Sequence, residues 1–145
     1  MINVLVLCTG NSCRSQMAHG YLQHFGSGKL KVLSAGIETH GVNPFAIGVM
    51  AEDGIDIAQH TSNLVDEYVH ESIDVVLTVC DHANESCPVF PGNTKRIHHN
   101  FSDPSKQEGT AKELIAAFRS TRDEIKSYCQ TLAIELLDKD KITEQ

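Results

Sequence analysis

The sequence predicts an α/β domain built on a parallel sheet. Short apolar runs typical of buried strands alternate with helical patterns, and glycine or proline marks several of the boundaries. Strands joined by helical crossovers form a sheet that winds right-handedly, with ligands at the carboxyl ends of the strands. With 145 residues, the chain has the size of one domain. We expect that domain to cover residues 1–138, followed by a frayed tail at 139–145.

The first half of the chain shows the strand-then-helix order twice. Residues 2–7 are almost all apolar and predict the first strand. Residues 15–25 predict a helix with its apolar side chains on one face, ended by the glycines that follow. The next elements are a strand at 30–33, a loop at 34–43, and a helix at 44–52 that starts at Pro44 and is capped by Asn43.

The second half predicts two more strands and a long helix. A short helix is expected at 64–69, and residues 73–79 carry the strongest strand pattern of the chain. Residues 96–98 predict a short fourth strand, and 110–137 predict a long amphipathic helix. The apolar residues expected in the core on this helix are Leu114, Phe118, Ile125, Leu132 and Leu136.

Residues 8–15, Cys-Thr-Gly-Asn-Ser-Cys-Arg-Ser, follow directly on the first strand and precede the first helix. Small and polar residues let the backbone turn tightly, so that successive N–H groups can surround an anion. The helix N-terminus adds partial positive charge, and Arg14 can place two donors on two oxygens. We expect the same field to lower the pKa of the Cys8 thiol and make it a nucleophile.

Composition limits the other classes of function. The formal net charge of -7 argues against a nucleic-acid surface. No signal peptide and no apolar run of membrane-spanning length is visible, so we expect a cytoplasmic protein with no membrane or nucleic-acid partner.

The five cysteines are Cys8, Cys13, Cys80, Cys87 and Cys129. An odd number in a chain of this kind argues against a fixed disulfide framework. The spacing of the two close pairs is wider than zinc sites usually show, so no metal is expected, and redox chemistry fits better.

Cys8 and Cys80 end the first and third predicted strands. If these strands are neighbours, about 4.8 Å separates them, within the range of roughly 4.4–6.8 Å between Cα atoms that a disulfide needs. Cys87 follows a polar segment, 81–86, that can flex. A thiol relay from Cys8 to Cys80 to Cys87 is therefore geometrically reasonable.

The sequence resembles those of the thioredoxin-coupled arsenate reductases, which share the low-molecular-weight tyrosine phosphatase fold. The resemblance rests on residues 8–15, 34–44 and 60–62, the pair Cys80 and Cys87, and Asp103 before Pro104. It covers nearly the whole chain. It implies a catalytic domain with a four-stranded parallel sheet in the order 2-1-3-4 and helices on both faces. It also implies thioredoxin as partner, no cofactor, and a monomer that acts in arsenic detoxification.

The resemblance also implies the roles of the site residues. Arsenate, with phosphate or sulfate as competing oxyanions, would lie in the loop formed by Thr9, Gly10, Asn11, Ser12, Cys13 and Arg14. Cys8 would attack arsenic, Asp103 would donate a proton to the leaving oxygen, and Ser15 would hydrogen-bond the Cys8 thiolate. Cys80 would then displace arsenite from Cys8, and Cys87 would free Cys8 and leave a disulfide for thioredoxin.

One departure from the family concerns a potassium site that some relatives build from an asparagine, a glutamate, a serine and an aspartate. Asn11 and Ser34 match, but His19 and Asn63 stand where the two carboxylates would be. Because a hard cation prefers anionic oxygen, we expect no strong potassium site here. His40 and His60 are expected to brace loops.

Two alternatives of other kinds stay open. A phosphotyrosine phosphatase needs Cys8, Arg14 and Asp103 but neither Cys80 nor Cys87. A phosphate-binding or thiol redox-sensing module would need no turnover at all. Arsenite production separates the reductase from both alternatives, and hydrolysis of para-nitrophenyl phosphate separates the phosphatase from the sensor.

Overall fold

The computed structural model describes the backbone of residues 1–144 and the side chains of residues 1–138. Four parallel strands form one sheet in the order β2-β1-β3-β4. The strands are β1 (Ile2–Cys8), β2 (Leu30–Gly36), β3 (Val75–Thr78) and β4 (Lys95–His98). The predicted fold class and strand order are confirmed.

The four helices are α1 (Arg14–Gly26), α2 (Pro44–Glu52), α3 (Asp81–Glu85) and α4 (Ala111–Glu144). Two 3-10 helices cover Val65–Tyr68 and Pro104–Lys106. Helix α2 begins as predicted, with the Asn43 side chain accepting a hydrogen bond from the Phe45 amide. The helix predicted at 64–69 is confirmed as the first 3-10 helix. No helix in the described part of the chain is both long and apolar enough to cross a membrane.

The structure differs from the sequence prediction at several boundaries by one or two residues, and more clearly at the end of β2, after Cys80 and at the end of the last helix. Strand β2 extends to Gly36, three residues into the predicted loop, because Gly36 pairs with Cys8 and its amide donates to the Asn63 carbonyl. The polar segment after Cys80 is folded into α3 rather than flexible. Helix α4 continues past residue 137, and the side chains of the predicted tail at 139–145 lie outside the described residues.

Strand β1 lies at the centre of the core. Val4, Leu5, Val6 and Leu7 have no exposed surface, although successive side chains of a strand point to opposite faces. Both faces of the sheet are therefore covered, as predicted. Helix α1 packs against α4 as well as against the sheet, and all five predicted core residues of α4 except Leu114 belong to the buried core. The carboxyl ends of β1 and β3 open at one edge, where Cys8 and Cys80 lie.

Candidate active site

A tight loop joins β1 to α1 and is shaped around Asn11. Asn11 is fully buried and adopts a left-handed backbone conformation (φ 48°), which asparagine tolerates better than most residues. Its Oδ1 accepts a hydrogen bond from the Asn63 amide at 2.8 Å, and its Nδ2 donates to Ser15 Oγ at 2.9 Å. The side chain of Asn11 thus fixes the loop to the segment after α2 and to the first turn of α1.

A second set of hydrogen bonds holds the loop from behind. Gln16 Nε2 donates to the carbonyls of Asn11 and Thr61, and its Oε1 lies 2.9 Å from His60 Nδ1. Ser62 Oγ lies 3.0 and 2.9 Å from the carbonyls of Gly10 and Asn11. The loop-bracing role predicted for His60 is confirmed. Gln16 has a role that the sequence analysis missed, because a buried polar residue inside a helix gives no periodic signal.

The loop also fits closely against the end of β2. A Cβ atom on Gly36 would lie 2.8 Å from the Asn11 nitrogen and 2.8 Å from the Thr9 carbonyl oxygen, so only glycine permits this approach. The His40 amide donates to the Gly10 carbonyl at 3.0 Å, which confirms that His40 braces the loop. Its ring packs directly over Gly10 and leaves no room for a side chain there.

The loop forms the floor of a cavity of about 290 Å³. The cavity is lined by the predicted nucleophile Cys8 and by five of the six predicted oxyanion-binding residues: Thr9, Gly10, Ser12, Cys13 and Arg14. His40, Asp103, Ser105 and Lys106 complete the lining. Asn11 is absent from this lining because it supports the loop from below. The sequence analysis did not predict Ser105 and Lys106, which follow Asp103 in the 3-10 helix Pro104–Lys106.

Arg14 is held at the cavity by contacts on one side of its guanidinium. Nη1 donates to the Phe101 carbonyl at 2.9 Å, and Nη2 lies 3.5 Å from Asp103 Oδ2. Nε is buried and has no hydrogen-bond partner among the described residues. A buried donor without an acceptor is costly, so this arginine is prepared to bind an oxyanion.

Asp103 lies across the cavity from the loop. Burial raises the pKa of its carboxyl, but hydrogen bonds from the Ser105 hydroxyl and amide, with the charge of Arg14, outweigh burial and bring that pKa below its usual value. Cys13 Sγ lies 3.6 Å from Asp103 Oδ1. The pKa of the Cys13 thiol is raised to about 11, chiefly by burial, so Cys13 is a neutral donor to this carboxylate.

Cys8 and Cys80 are hydrogen-bonded to each other and lie side by side at the ends of β1 and β3. Thr9 Oγ1 lies 3.2 Å from Cys80 Sγ, and the Ala83 amide donates to the same sulfur at 3.4 Å. The bond from Cys8, with these two bonds, lowers the pKa of Cys80 to about 5 despite burial. The two shifts have opposite directions, so the resting pair favours a negative charge on Cys80 over one on Cys8.

The predicted lowering of the pKa of Cys8 is wrong for the resting site. The hydrogen bond to Cys80, followed by burial, raises that pKa, although Arg14 and the Thr9 amide oppose the shift. A second negative charge beside the first one is unfavourable. Ser15 Oγ is bonded to Asn11, and its expected hydrogen bond to Cys8 stays a prediction.

Cys87 is half-buried two residues beyond the end of α3, and its thiol donates to the Pro88 carbonyl at 3.5 Å. Helix α3 is fastened to the sheet through His98. His98 Nδ1 lies 2.7 Å from Thr78 Oγ1, and His98 Nε2 lies 2.7 Å from Asp81 Oδ1. All five cysteines are free thiols, with Cys129 buried away from the site in α4.

The residues expected at a potassium site bond to each other. Ser34 Oγ lies 2.8 Å from His19 Nδ1, and Asn11 Oδ1 is occupied by the Asn63 amide. Burial, with a smaller effect of His60, lowers the pKa of His19 to about 3, so its ring is neutral near pH 7. These groups offer no anionic oxygen and do not fit a potassium ion. Among the residues with described side chains, no group of three or more histidine, cysteine or acidic residues could hold a metal.

The sequence profile of the family described as low molecular weight phosphotyrosine protein phosphatase matches residues 3–143. The chain belongs to this family.

Its relatives within the low-molecular-weight phosphatase family include arsenate reductases. The arsenate reductase of Halalkalibacterium halodurans is 48% identical over 130 residues, which cover 90% of this chain and 94% of that relative. The arsenate reductase of Bacillus subtilis is 47% identical over 122 residues, covering 84% of this chain and 88% of the relative. The resemblance inferred from the sequence is confirmed.

Solved structures in the low-molecular-weight phosphatase family agree with this relationship. An arsenate reductase in an oxidized state has a TM-score of 0.80 and 31% identity, and the match covers 93% of this chain and 98% of that one. An arsenate reductase in a phosphate binding state has a TM-score of 0.75 and 33% identity, with the same coverage.

Proposed function

We propose that this protein reduces arsenate to arsenite through a relay of three thiols. The observation that carries the proposal is that Cys8, which lines the cavity, has a second thiol beside it, Cys80, at the end of the neighbouring strand β3. A phosphatase requires one thiolate there, whereas reduction of arsenic by protein thiols requires a second thiol that can reach the first. The kinship with arsenate reductases supports the same assignment.

Arsenate binding uses the loop amides and Arg14. Both the buried Nε and the Nη2 group of Arg14 can donate to one oxyanion, with Nη2 exchanging its contact with Asp103 for the ligand. A dianion next to Asp103 then raises the pKa of that carboxyl, because like charges disfavour ionisation. Binding thereby converts Asp103 from a carboxylate into the proton donor that the reaction needs.

The first half of the reaction forms a bond between sulfur and arsenic. The Cys8 proton passes along the hydrogen bond to Cys80, and the Cys8 thiolate attacks arsenic. One arsenic–oxygen bond breaks, and the leaving oxygen departs as water with a proton from Asp103.

The second half transfers two electrons to arsenic. Cys80 loses its proton to the departing oxyanion and attacks the Cys8 sulfur. The sulfur–arsenic bond breaks with its electron pair on arsenic, so that arsenic(V) becomes arsenic(III) and two thiols become a Cys8–Cys80 disulfide. Cys87 then attacks Cys80, Cys8 leaves as a thiolate, and a Cys80–Cys87 disulfide remains. Thioredoxin is the proposed reductant of this bond, supported by the partial exposure of Cys87 and by the 91% exposed apolar side chain of Val89 beside it.

The test is arsenate-dependent oxidation of NADPH with thioredoxin and its reductase, with glutaredoxin as the control reductant. We expect Cys80→Ser to hydrolyse para-nitrophenyl phosphate but to release no arsenite. Cys87→Ser should release a single stoichiometric burst of arsenite and stall as a Cys8–Cys80 disulfide, identified by peptide mapping. Cys129→Ser is the matched control, because this buried thiol lies in α4 outside the cavity. Multiple turnovers by Cys87→Ser with thioredoxin would contradict the relay.

Phosphatase activity is the second candidate, favoured by the family match and by the arrangement of Cys8, Arg14 and Asp103. Phosphorus(V) is not reduced by thiols, so a phosphocysteine would be resolved by water rather than by Cys80. Hydrolysis of aryl phosphates without arsenite formation in the coupled assay would establish this alternative.

A further inference from the structure

The thiol that completes the relay has a cation beside it. Arg96 extends from β4, the edge strand next to β3. Its Nη2 donates to the Asn84 carbonyl at 3.3 Å, three residues before Cys87, and its charge acts on the Cys87 thiol. The thiol itself donates to the Pro88 carbonyl at 3.5 Å. Asn84 lies in the last turn of α3, where carbonyl groups lack partners within the helix. One exposed arginine is therefore held at the end of α3, close to the cysteine that follows it.

We propose that Arg96 is a positioning residue that prepares Cys87 as the nucleophile of the second thiol–disulfide exchange. This inference rests on the proposed relay and assigns to it a residue outside the cavity. In that exchange a Cys87–Cys80 bond forms and the Cys8–Cys80 bond breaks, so Cys87 must give up its proton before it attacks.

The surroundings of Cys87 oppose the loss of its proton, so a nearby positive charge is needed. Burial raises the pKa of its thiol, and the charge of Arg96 offsets part of this increase. Two acidic residues on the neighbouring helix, Asp81 and Glu85, would oppose a thiolate rather than favour one. Asp81 is bonded to His98, which reduces its influence. Among the described residues that influence Cys87, Arg96 supplies the positive charge.

Cys80 and Cys87 are thus activated by different means. Cys80 is buried and stabilised by the Thr9 hydroxyl, in the loop after β1, and by the Ala83 amide in the first turn of α3. Cys87 lies outside the cavity and depends on a long, exposed side chain. Such a side chain can follow the sulfur as it moves, so the positive charge stays near Cys87 during the exchange.

The experiment measures the reactivity of Cys87 directly. The reduced full-length protein is labelled with iodoacetamide across a pH series, and a protease that cleaves after glutamate releases residues 86–108, in which Cys87 is the only cysteine. In Arg96→Gln we expect labelling of Cys87 near pH 7 to slow by about three- to tenfold, since an adjacent cation at a partly exposed site favours the thiolate by about half to one pKa unit. Arg96→Lys should restore most of the rate because it keeps the charge.

Lys31→Gln is the matched control, since it removes the same charge from β2, the opposite edge strand. It should leave the labelling of Cys87 unchanged. In a single turnover with arsenate, Arg96→Gln should release arsenite at the normal rate but accumulate the Cys8–Cys80 disulfide. An Arg96→Gln labelling profile that superimposes on that of the unaltered protein overturns the proposal, as does an Arg96→Lys profile that matches Arg96→Gln. The labelling requires no arsenate, so it separates failure of this inference from failure of the proposed function.

Discussion

Removing the Thr9 hydroxyl tests how Cys80 is activated. Thr9→Val keeps the shape of the side chain but deletes the group 3.2 Å from Cys80 Sγ. A hydrogen bond to a charged group contributes about 1.5–3 kcal/mol, and one pKa unit corresponds to about 1.4 kcal/mol. The pKa of Cys80, lowered to about 5 in the structure, should therefore rise by about one to two units.

Two measurements follow from this change in the pKa of Cys80. The pH dependence of Cys80 alkylation, read by peptide mass spectrometry, should move upward in Thr9→Val and stay in place in Thr9→Ser, which retains the hydroxyl. Single-turnover arsenite release should slow at acidic pH, where less Cys80 thiolate remains. Hydrolysis of para-nitrophenyl phosphate should change less, because Cys80 forms no covalent bond in that reaction. An unchanged alkylation profile in Thr9→Val would show that the Thr9 contact does not stabilise the thiolate.

Three further predictions concern the cavity and its supports. Asn11→Ala should destabilise the protein by about 1–3 kcal/mol in denaturant unfolding, because it leaves the buried Ser15 hydroxyl and the half-buried Asn63 amide without this partner. It should also abolish both activities, and normal stability would refute the anchoring role. Asp103→Asn should slow hydrolysis of phosphate esters with poor leaving groups by about 10²–10⁴-fold and affect good leaving groups less, whereas a uniform loss would indicate a structural role. The pKa of His19 is about 3 in the folded protein, below its unfolded value of about 6.5. Between these two pKa values the unfolded chain binds more protons than the folded one, so the free energy of unfolding falls as the pH drops from about 6.5 towards 3. The unfolding free energy of His19→Asn should depend less steeply on pH over this interval, and an unchanged slope would contradict the assignment.

The sequence contains enough information to place the main catalytic groups. Cys8 and Cys80 each end an apolar run, and parallel strands bring their carboxyl ends to one edge of the sheet, so their proximity follows from topology. The position of Arg14 near Cys8 follows from the short loop that joins the first strand to the first helix. Asp103 could be assigned by resemblance, and the structure places it on the cavity wall beside Arg14.

The hydrogen bonds that hold the loop in place, and the charges of the thiols, could not be predicted from the sequence in this way. Gln16 and Ser62 hold the loop from distant segments, and such contacts leave no periodic pattern in the sequence. Helix α3 is only five polar residues long, too short for a helical period to be read. The hydrogen bond between Cys8 and Cys80 decides which of the two thiols has the lower pKa. The sequence analysis considered Cys8 without Cys80, so its prediction of a lowered pKa for Cys8 was wrong.

Helix α3 lies between Cys80 and Cys87, the two thiols that the proposed relay joins in its last disulfide. Cys80 caps its first turn and Cys87 lies two residues beyond its last residue, so at about 1.5 Å per residue the two Cα atoms are about 10 Å apart. A disulfide tolerates at most about 7 Å between Cα atoms, so the bridge forms only after this helix has unwound and the bond between His98 and Asp81 has broken. Oxidation of the enzyme is therefore also a local unfolding reaction. The amide protons of α3 should exchange with solvent faster in the oxidised protein than in the reduced one, and a reductant can recognise the spent enzyme by this loosened segment as well as by its disulfide.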